Sequence, residues 1–194
     1  DGDGYGDVVA GAPLLTNGQT NEGRVYLFRG GSAGLAALPV WTWEPDRTAN
    51  AGWSMGHAGD VNGDGYADIV VGAQLYTNAD NSEGKAYVFH GGSSGPAAIP
   101  PGADFSTPEL NDASAFQGFS VAGAGDVNGD GFADVIVGEE ENDAGGTEAG
   151  RDYVYYGGAV ANATADLTLT GAAAGDRFGL SVRGAGDVNG DGYA

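Results

Sequence analysis

At 194 residues, with 38 glycines, no cysteine and 41% hydrophobic residues, the chain is long enough to bury a core without disulfides and too apolar for disorder, and its glycines follow no collagen period. Twenty-seven acidic residues against seven basic ones give a net charge of −20, which repels nucleic acid and anionic membrane and requires counter-cations. No run of about 18 apolar residues occurs, so no membrane-spanning helix is expected, and the N-terminus lacks the charged and apolar regions of a signal peptide.

The chain opens on a loop, Asp1-Gly2-Asp3-Gly4-Tyr5-Gly6-Asp7, and runs into Val8-Val9-Ala10, too short for a helix and β-branched, as a strand buried on both faces would be. A polar connection leads to 23–31, where Val25, Tyr26, Leu27 and Phe28 sit between Gly23 and the pair Gly30-Gly31, a strong strand signal. A weaker strand fits 40–43. The segment headed by Gly52-Trp53-Ser54 then reaches a Gly-Asp pair that opens the loop Asp60-Val61-Asn62-Gly63-Asp64-Gly65-Tyr66-Ala67-Asp68.

From here the elements recur. Ile69-Val70-Val71, 84–92 and 104–106 are followed by Gly118-Phe119-Ser120, the loop from Asp126 to Asp134, Val135-Ile136-Val137, 150–158 and 165–169. Gly179-Leu180-Ser181 then heads a last strand, 180–186, that leads into a third loop at Asp187. The loop-opening residues Asp60, Asp126 and Asp187 stand 66 and 61 residues apart. No capped segment of 3.6-residue period is present, so helices are not expected. Four short strands in a period of roughly 60 residues describe one blade of a β-propeller, with small residues such as those of 122–125 at the crowded inner rim; a β-solenoid is the alternative architecture. The fold class expected is all-β, in blades of four antiparallel strands: unit one 1–59, unit two 60–125, unit three 126–186, and a truncated loop at 187–194.

The spacing Asp-x-Asn-x-Asp-Gly-x-x-Asp sets oxygen-bearing side chains at positions 1, 3, 5 and 9 of a tight loop. The glycine at position 6 permits the turn that brings the carbonyl of position 7 round as a further donor. Hard cations bind such oxygen sets, and Ca²⁺ accepts irregular ones more readily than Mg²⁺. The ligands expected are Asp60, Asn62, Asp64, Tyr66 through its carbonyl and Asp68, and in the next loop Asp126, Asn128, Asp130, Phe132 and Asp134. The terminal half-loops offer Asp1, Asp3, Tyr5 and Asp7, and Asp187, Asn189 and Asp191. The first six positions also fit an EF-hand or dockerin loop, but position 12, which an EF-hand fills with a bidentate Glu, is here Val71 or Val137, inside a strand. An Asn/Asp/Gly turn without metal is the remaining reading of these residues.

These loops, with Phe178-Gly179 and Gly11-Ala12-Pro13, resemble FG-GAP repeats, the blades of the integrin α-subunit propeller and of many bacterial surface proteins. The pattern departs at Ala51 and Gln117, which stand in place of Phe, and at Ala73-Gln74 and Glu139-Glu140, which stand in place of Ala-Pro. The resemblance implies propellers that usually close seven blades, calcium-stiffened hairpins, and ligand binding on the loop-bearing faces. With about three blades present, the strand at 180–186 is expected to pair with 7–11 of a neighbouring copy or of the remainder of a longer chain, completing a split calcium site.

Other candidates read as structural. Gly52-Trp53-Ser54-Met55-Gly56 fits a nucleophile elbow, but the same serine returns as Ser120 and Ser181 in other contexts, and no helix follows. His57 and His90 fall where other units carry Gly or Arg and Tyr, which suits a rim position rather than a base or ligand. The triplet Glu139-Glu140-Glu141 is expected to be a solvated loop, and the aromatics of the third strand to pack between blades. Trp41, Trp43 and Trp53 cluster in one unit, where an exposed pair would bind glycan or protein. Asn162-Ala163-Thr164 is a glycosylation sequon. The chain is thus expected to be no enzyme but an extracellular or cell-surface, Ca²⁺-binding module for adhesion, ligand binding or surface assembly, with variable loops at 16–22, 77–83 and 142–148. The alternatives are a non-catalytic propeller of a secreted lipase or polysaccharide-degrading enzyme, and a structural unit of a surface filament. Its protein or glycan ligand is not legible in the sequence.

Overall fold

A computed structural model describes residues 1–77, 82–96, 105–107, 114–160 and 163–194. Asp104 of the expected fourth strand, Asn162 of the sequon and residues 78–81 of the second variable loop lie outside these. Eleven strands are present among the described residues and no helix. They are β1 (Val8–Ala12), β2 (Arg24–Phe28), β3 (Trp41–Trp43), β4 (Met55–Gly59), β5 (Asp68–Ala73), β6 (Lys85–Phe89), β7 (Phe105–Ser106), β8 (Ser120–Gly125), β9 (Asp134–Glu139), β10 (Arg151–Tyr155) and β11 (Leu167–Thr170).

They form three antiparallel sheets, in the orders β1-β2-β3, β4-β5-β6-β7 and β8-β9-β10-β11. These are blades of three, four and four strands, matching the three sequence repeats in a propeller that is not closed. The registers repeat as well: Val70 faces Val88 in the second sheet and Ile136 faces Val154 in the third. Each complete inner hairpin carries an irregularity just before its loop, at His57/Gly59 and Gly123/Gly125. A bulge of this kind strengthens the local twist and re-aims the loop that follows.

The sheets are held face to face by period-2 alternation. On β6, Tyr87 and Phe89 turn to the first sheet, where they join Val25, Leu27, Trp41 and Trp43; Ala86 and Val88 turn to the third, where they join Val121, Val135, Val137, Tyr153 and Tyr155. The aromatics of the third strand therefore pack between blades, as expected. The two tryptophans of β3 do the same: Trp41 meets Phe89 at 5.1 Å between ring centroids, and Trp43 meets Tyr87 at 4.8 Å and Phe89 at 4.9 Å. This corrects the expectation of an exposed pair, since rings of this size bury 150–250 Å² each and are worth most where two sheets can cover them. Only Trp53 stays open, 47% exposed, with its ring 6.0 Å from that of Phe119.

β5 and β9 are buried on both faces, whereas β1 is largely exposed. The difference follows from what covers each face: β5 turns Val71 to the first sheet and Val70 to the third, whereas β1 is the edge strand of a sheet whose core residues meet the second sheet alone among the described residues. Residues 180–186, expected as a strand, form none. They lie along β8, where the Val182 N–H donates to Ser120 Oγ at 3.0 Å, but among the described residues no strand pairs with them to complete a ladder.

Blades meet at glycines. A Cβ on Gly11 would lie 2.2 Å from the Gly52 carbonyl oxygen, one on Gly72 2.0 Å from that of Gly118, and one on Gly138 2.1 Å from that of Gly179. The glycine after each apolar run thus lies against the glycine that heads the following repeat, so two backbones approach to a distance no side chain permits. The serine of the Gly-x-Ser segment secures the same crossing. Ser54 Oγ donates to the Gly118 carbonyl at 2.8 Å, and Ser120 Oγ accepts from Val182, so both tie one repeat to the next.

Candidate metal centre

The loops at 60–68 and 126–134 join the two inner strands of their sheets, and their acidic side chains are folded in by their own backbone. The Asp64 N–H donates to both Asp60 Oδ1 and Asn62 Oδ1 at 3.0 Å. The Gly65 N–H donates to Asp60 Oδ2 at 2.8 Å, the Tyr66 N–H to Asp64 Oδ1 at 2.9 Å, and Asn62 Nδ2 to Asp64 Oδ2 at 2.9 Å. In the next loop Asp130, Gly131, Phe132 and Asn128 make the same five bonds to Asp126, Asn128 and Asp130, at 2.9 to 3.0 Å. The loop at 187–191 forms the knot once more, and the backbone N–H groups gathered on Asp187 and Asp191 hold both carboxyls below the ordinary range. At the other end Asp1 and Asp3 accept from the Asp3 and Tyr5 amides. Asx-type turns of this kind are what short Asp and Asn side chains make when glycines at 63 and 65, with φ of 75° and 87°, let the chain fold back.

Position 9 is placed differently. Asp68 is fully buried, and both its oxygens are taken by backbone amides, Oδ2 by Val61 at 2.7 Å and Oδ1 by Gly91 at 2.7 Å. Asp134 repeats this with Val127 at 2.8 Å and Gly157 at 2.8 Å, and Asp7 accepts from Gly30 at 3.0 Å. The structure therefore brings positions 1, 3 and 5 together and sets position 9 in a strut between the loop and the end of the third strand. Among the described residues no group of three or more His, Cys, Asp or Glu side chains is gathered as a ready metal cluster. Burial raises the pKa of Asp68 and of Asp134, against the lowering effect of their two amide bonds. Nearby charge acts both ways on Asp68, which His90 lowers and Asp64 raises, whereas Asp130 and Asp126 both raise Asp134 further.

The donor chemistry fits a hard divalent ion. Each loop collects only oxygen ligands, has no basic side chain within it, and carries three carboxylates whose mutual repulsion a cation would relieve. Asp60, Asn62 and Asp64, with the Tyr66 carbonyl, would hold the ion, and so would their counterparts from Asp126; each Asx oxygen that accepts one amide keeps a second lone pair. Asp68 and Asp134 would join by sharing oxygens that already brace the loop.

Outside the loops, the acidic triplet differs from expectation. Glu139 is fully buried at the end of β9, where its Oε2 accepts from the Tyr153 hydroxyl at 2.7 Å and from Asn142 Nδ2 at 2.9 Å. Burial, with the charge of Glu139, pushes the Tyr153 and Tyr155 hydroxyls up. Glu140 is buried too and, with Glu141 and Glu148, pairs with Arg177. The repeat itself held the signal, since Glu139 aligns with Ala73, the buried last residue of β5. His57 is exposed and His90 half-buried, as rim positions would be.

Asp152 escaped the sequence reading. It aligns with Val25 and Ala86, is 4% exposed, and its Oδ1 has no hydrogen-bond partner. Desolvation raises its pKa from 3.8 to about 6. Because the folded value lies above the unfolded one, the ionised form opposes folding above pH 6, and the penalty disappears as pH falls towards 4. Asp152→Val should therefore stabilise the chain by about 2 kcal/mol at neutral pH, with a much smaller gain near pH 4. Urea unfolding at the two pH values checks this; an equal gain at both would show that ionisation is not the cause.

Comparison with known proteins agrees with this geometry. The FG-GAP repeat model matches residues 1–28, 51–89 and 118–155. The chain is 33% identical to integrin alpha-PS2 of Drosophila melanogaster over 74% of its length and 11% of that protein. It is 36% identical to human integrin alpha-10 over 72% of its length and 12% of that protein. With the phosphatidylinositol-glycan-specific phospholipase D of Bos taurus it shares 30% identity over 88% of its length and 21% of that protein. The chain thus spans between about a tenth and a fifth of the length of these relatives. Three sheets in register with three matched segments, crossed at the glycines of the motif, make this chain a member of the FG-GAP repeat family, with integrin-α-like blades.

Proposed function

We propose that the chain is a Ca²⁺-stiffened propeller module that acts outside the cell by presenting a binding surface, and that it carries out no reaction of its own. The observation that carries this reading is the recurrence of one bonded set of oxygens, from Asp60, Asn62 and Asp64, in the loop at Asp126 and again at Asp187. The ion supplies charge neutralisation and cross-linking; the chain's own residues set the loop and tie it to the third strand. The serine of the elbow-like segment is engaged with backbone of the next repeat, which supports a non-catalytic role. Trp53 over Phe119, at the end of the inner strands opposite the loops, offers an aromatic contact for a protein or glycan ligand.

Extracellular modules bind Ca²⁺ with Kd of about 10⁻⁴ to 10⁻³ M, so about 10 mM Ca²⁺ should add roughly 1.4 to 2.7 kcal/mol of stability per loop. Thermal unfolding with Ca²⁺ and with a chelator measures this. A melting temperature indifferent to both would end the calcium reading. The similarity to a phospholipase D supports one alternative, a non-catalytic propeller within a larger secreted enzyme; assay of the full-length protein with and without these repeats separates the two.

A further inference from the structure

Consecutive metal loops touch one another. The Phe132 ring lies over Gly63 so closely that a Cβ there would be 2.5 Å from its Cε1; Tyr193 covers Gly129 and Tyr66 covers Gly2 in the same way, at 2.3 and 3.1 Å. The Ala133 N–H donates to the Asp60 carbonyl at 3.0 Å, and the Ala194 N–H to the Asp126 carbonyl at 3.2 Å. A further bond, from the Gly158 N–H to the Val61 carbonyl at 2.8 Å, ties the end of the third sheet's β10 strand to the loop of the second. These ring contacts and loop-to-loop bonds join positions 7 and 8 of one loop to positions 4 and 1 of the loop before it. Position 7 is the residue whose carbonyl would face the ion in its own loop, and position 1 supplies a carboxylate to the ion in the other.

We propose that cation binding at 60–68 and at 126–134 is coupled through Phe132 on Gly63 and Ala133 on Asp60, so that filling either loop tightens the other. The inference rests on the calcium reading above. An ion held by the Phe132 carbonyl fixes the backbone that carries the ring. The ring in turn restricts Gly63, whose φ of 75° lies in the region that favours glycine, in the middle of the neighbouring ligand set. Ordering done by the first ion need not be repeated for the second, and the coupling is reciprocal by linkage.

Titration of the whole chain with Ca²⁺, following the amide resonances of Gly65 and Gly131 separately, resolves the two loops. In the wild type both should fill together with a slope steeper than independent sites give. Phe132→Ala should leave both loops binding, but independently, with the Gly65 midpoint weaker by about fivefold or more. Phe132→Tyr, the side chain present at Tyr66 and Tyr193, should restore the coupling. Asp126→Asn with Asp130→Asn, which disables the later loop, should weaken the earlier one by a similar factor, and this carries the test if Phe132→Ala fails to fold. An unchanged midpoint at Gly65 in Phe132→Ala, or in the double variant, overturns the coupling. Resonances that ignore Ca²⁺ in the wild type overturn the calcium reading itself, a distinct result.

Discussion

Gly72→Ala should cost about 3 kcal/mol or more and detach the second sheet from the third. The added methyl would sit 2.0 Å from the Gly118 carbonyl oxygen and 2.3 Å from Ser54 Oγ. Neither neighbour can withdraw. Gly118 has φ of 80° and donates its N–H to the Gly138 carbonyl at 3.0 Å, while Ser54 is bonded to Gly118 and its carbonyl accepts from the Gly72 N–H at 2.8 Å. A Cβ in this crossing must therefore push two ladders apart rather than turn one side chain. Gly92→Ala is the control, because its added carbon would meet nothing closer than the Gly95 oxygen at 3.4 Å. Urea midpoints should separate the two variants clearly, and matching midpoints would refute the crossing as the point of contact.

The second large effect is expected at the strut. Asp68→Ala removes the acceptor from the amides of Val61 and Gly91 at once, in a position closed to water. Each stranded donor costs about 1–3 kcal/mol, so for two a loss of about 2–6 kcal/mol is expected, and the same at Asp134. Asp68→Asn should lose less, since one oxygen can still accept while the new NH₂ group faces the other amide. Amide exchange at Val61 and Gly91 reports on the bonds directly: protection that survives in Asp68→Ala would mean that something else holds them. The loss should persist with Ca²⁺ absent, which separates the bracing role from any role as a ligand.

Much of this architecture could be read from residue spacing, because a repeat prints the same local chemistry several times. The strands around Val70 and Val88 follow from β-branched runs between glycines, and the knot of Asp60, Asn62 and Asp64 follows from Asx residues two apart with glycines at 63 and 65. What escaped was contact at a distance. The partner of Asp68 is Gly91, 23 residues on, and only the recurring Gly-Gly pairs at 30–31, 91–92 and 157–158 hinted at it. The placement of Trp41 and Trp43 depends on rings a whole repeat away, and Glu139 looked solvated because its neighbours in sequence are charged while its neighbours in space are Tyr153 and Asn142. The exposure of β1 and the lack of a strand at 180–186 both turn on which strands lie alongside, a matter no local pattern encodes.

The three tryptophans of the chain also make a spectroscopic asymmetry. Trp41 and Trp43 are wedged against Tyr87 and Phe89, so their ultraviolet emission should shift to the red when the first sheet parts from the second, while the loops at Asp60 and Asp126 contain no indole. Trp53, beside Phe119, faces solvent from the outset and contributes a nearly constant background. Intrinsic fluorescence is therefore a gauge of one seam, and a probe placed in the third sheet is needed to see the other.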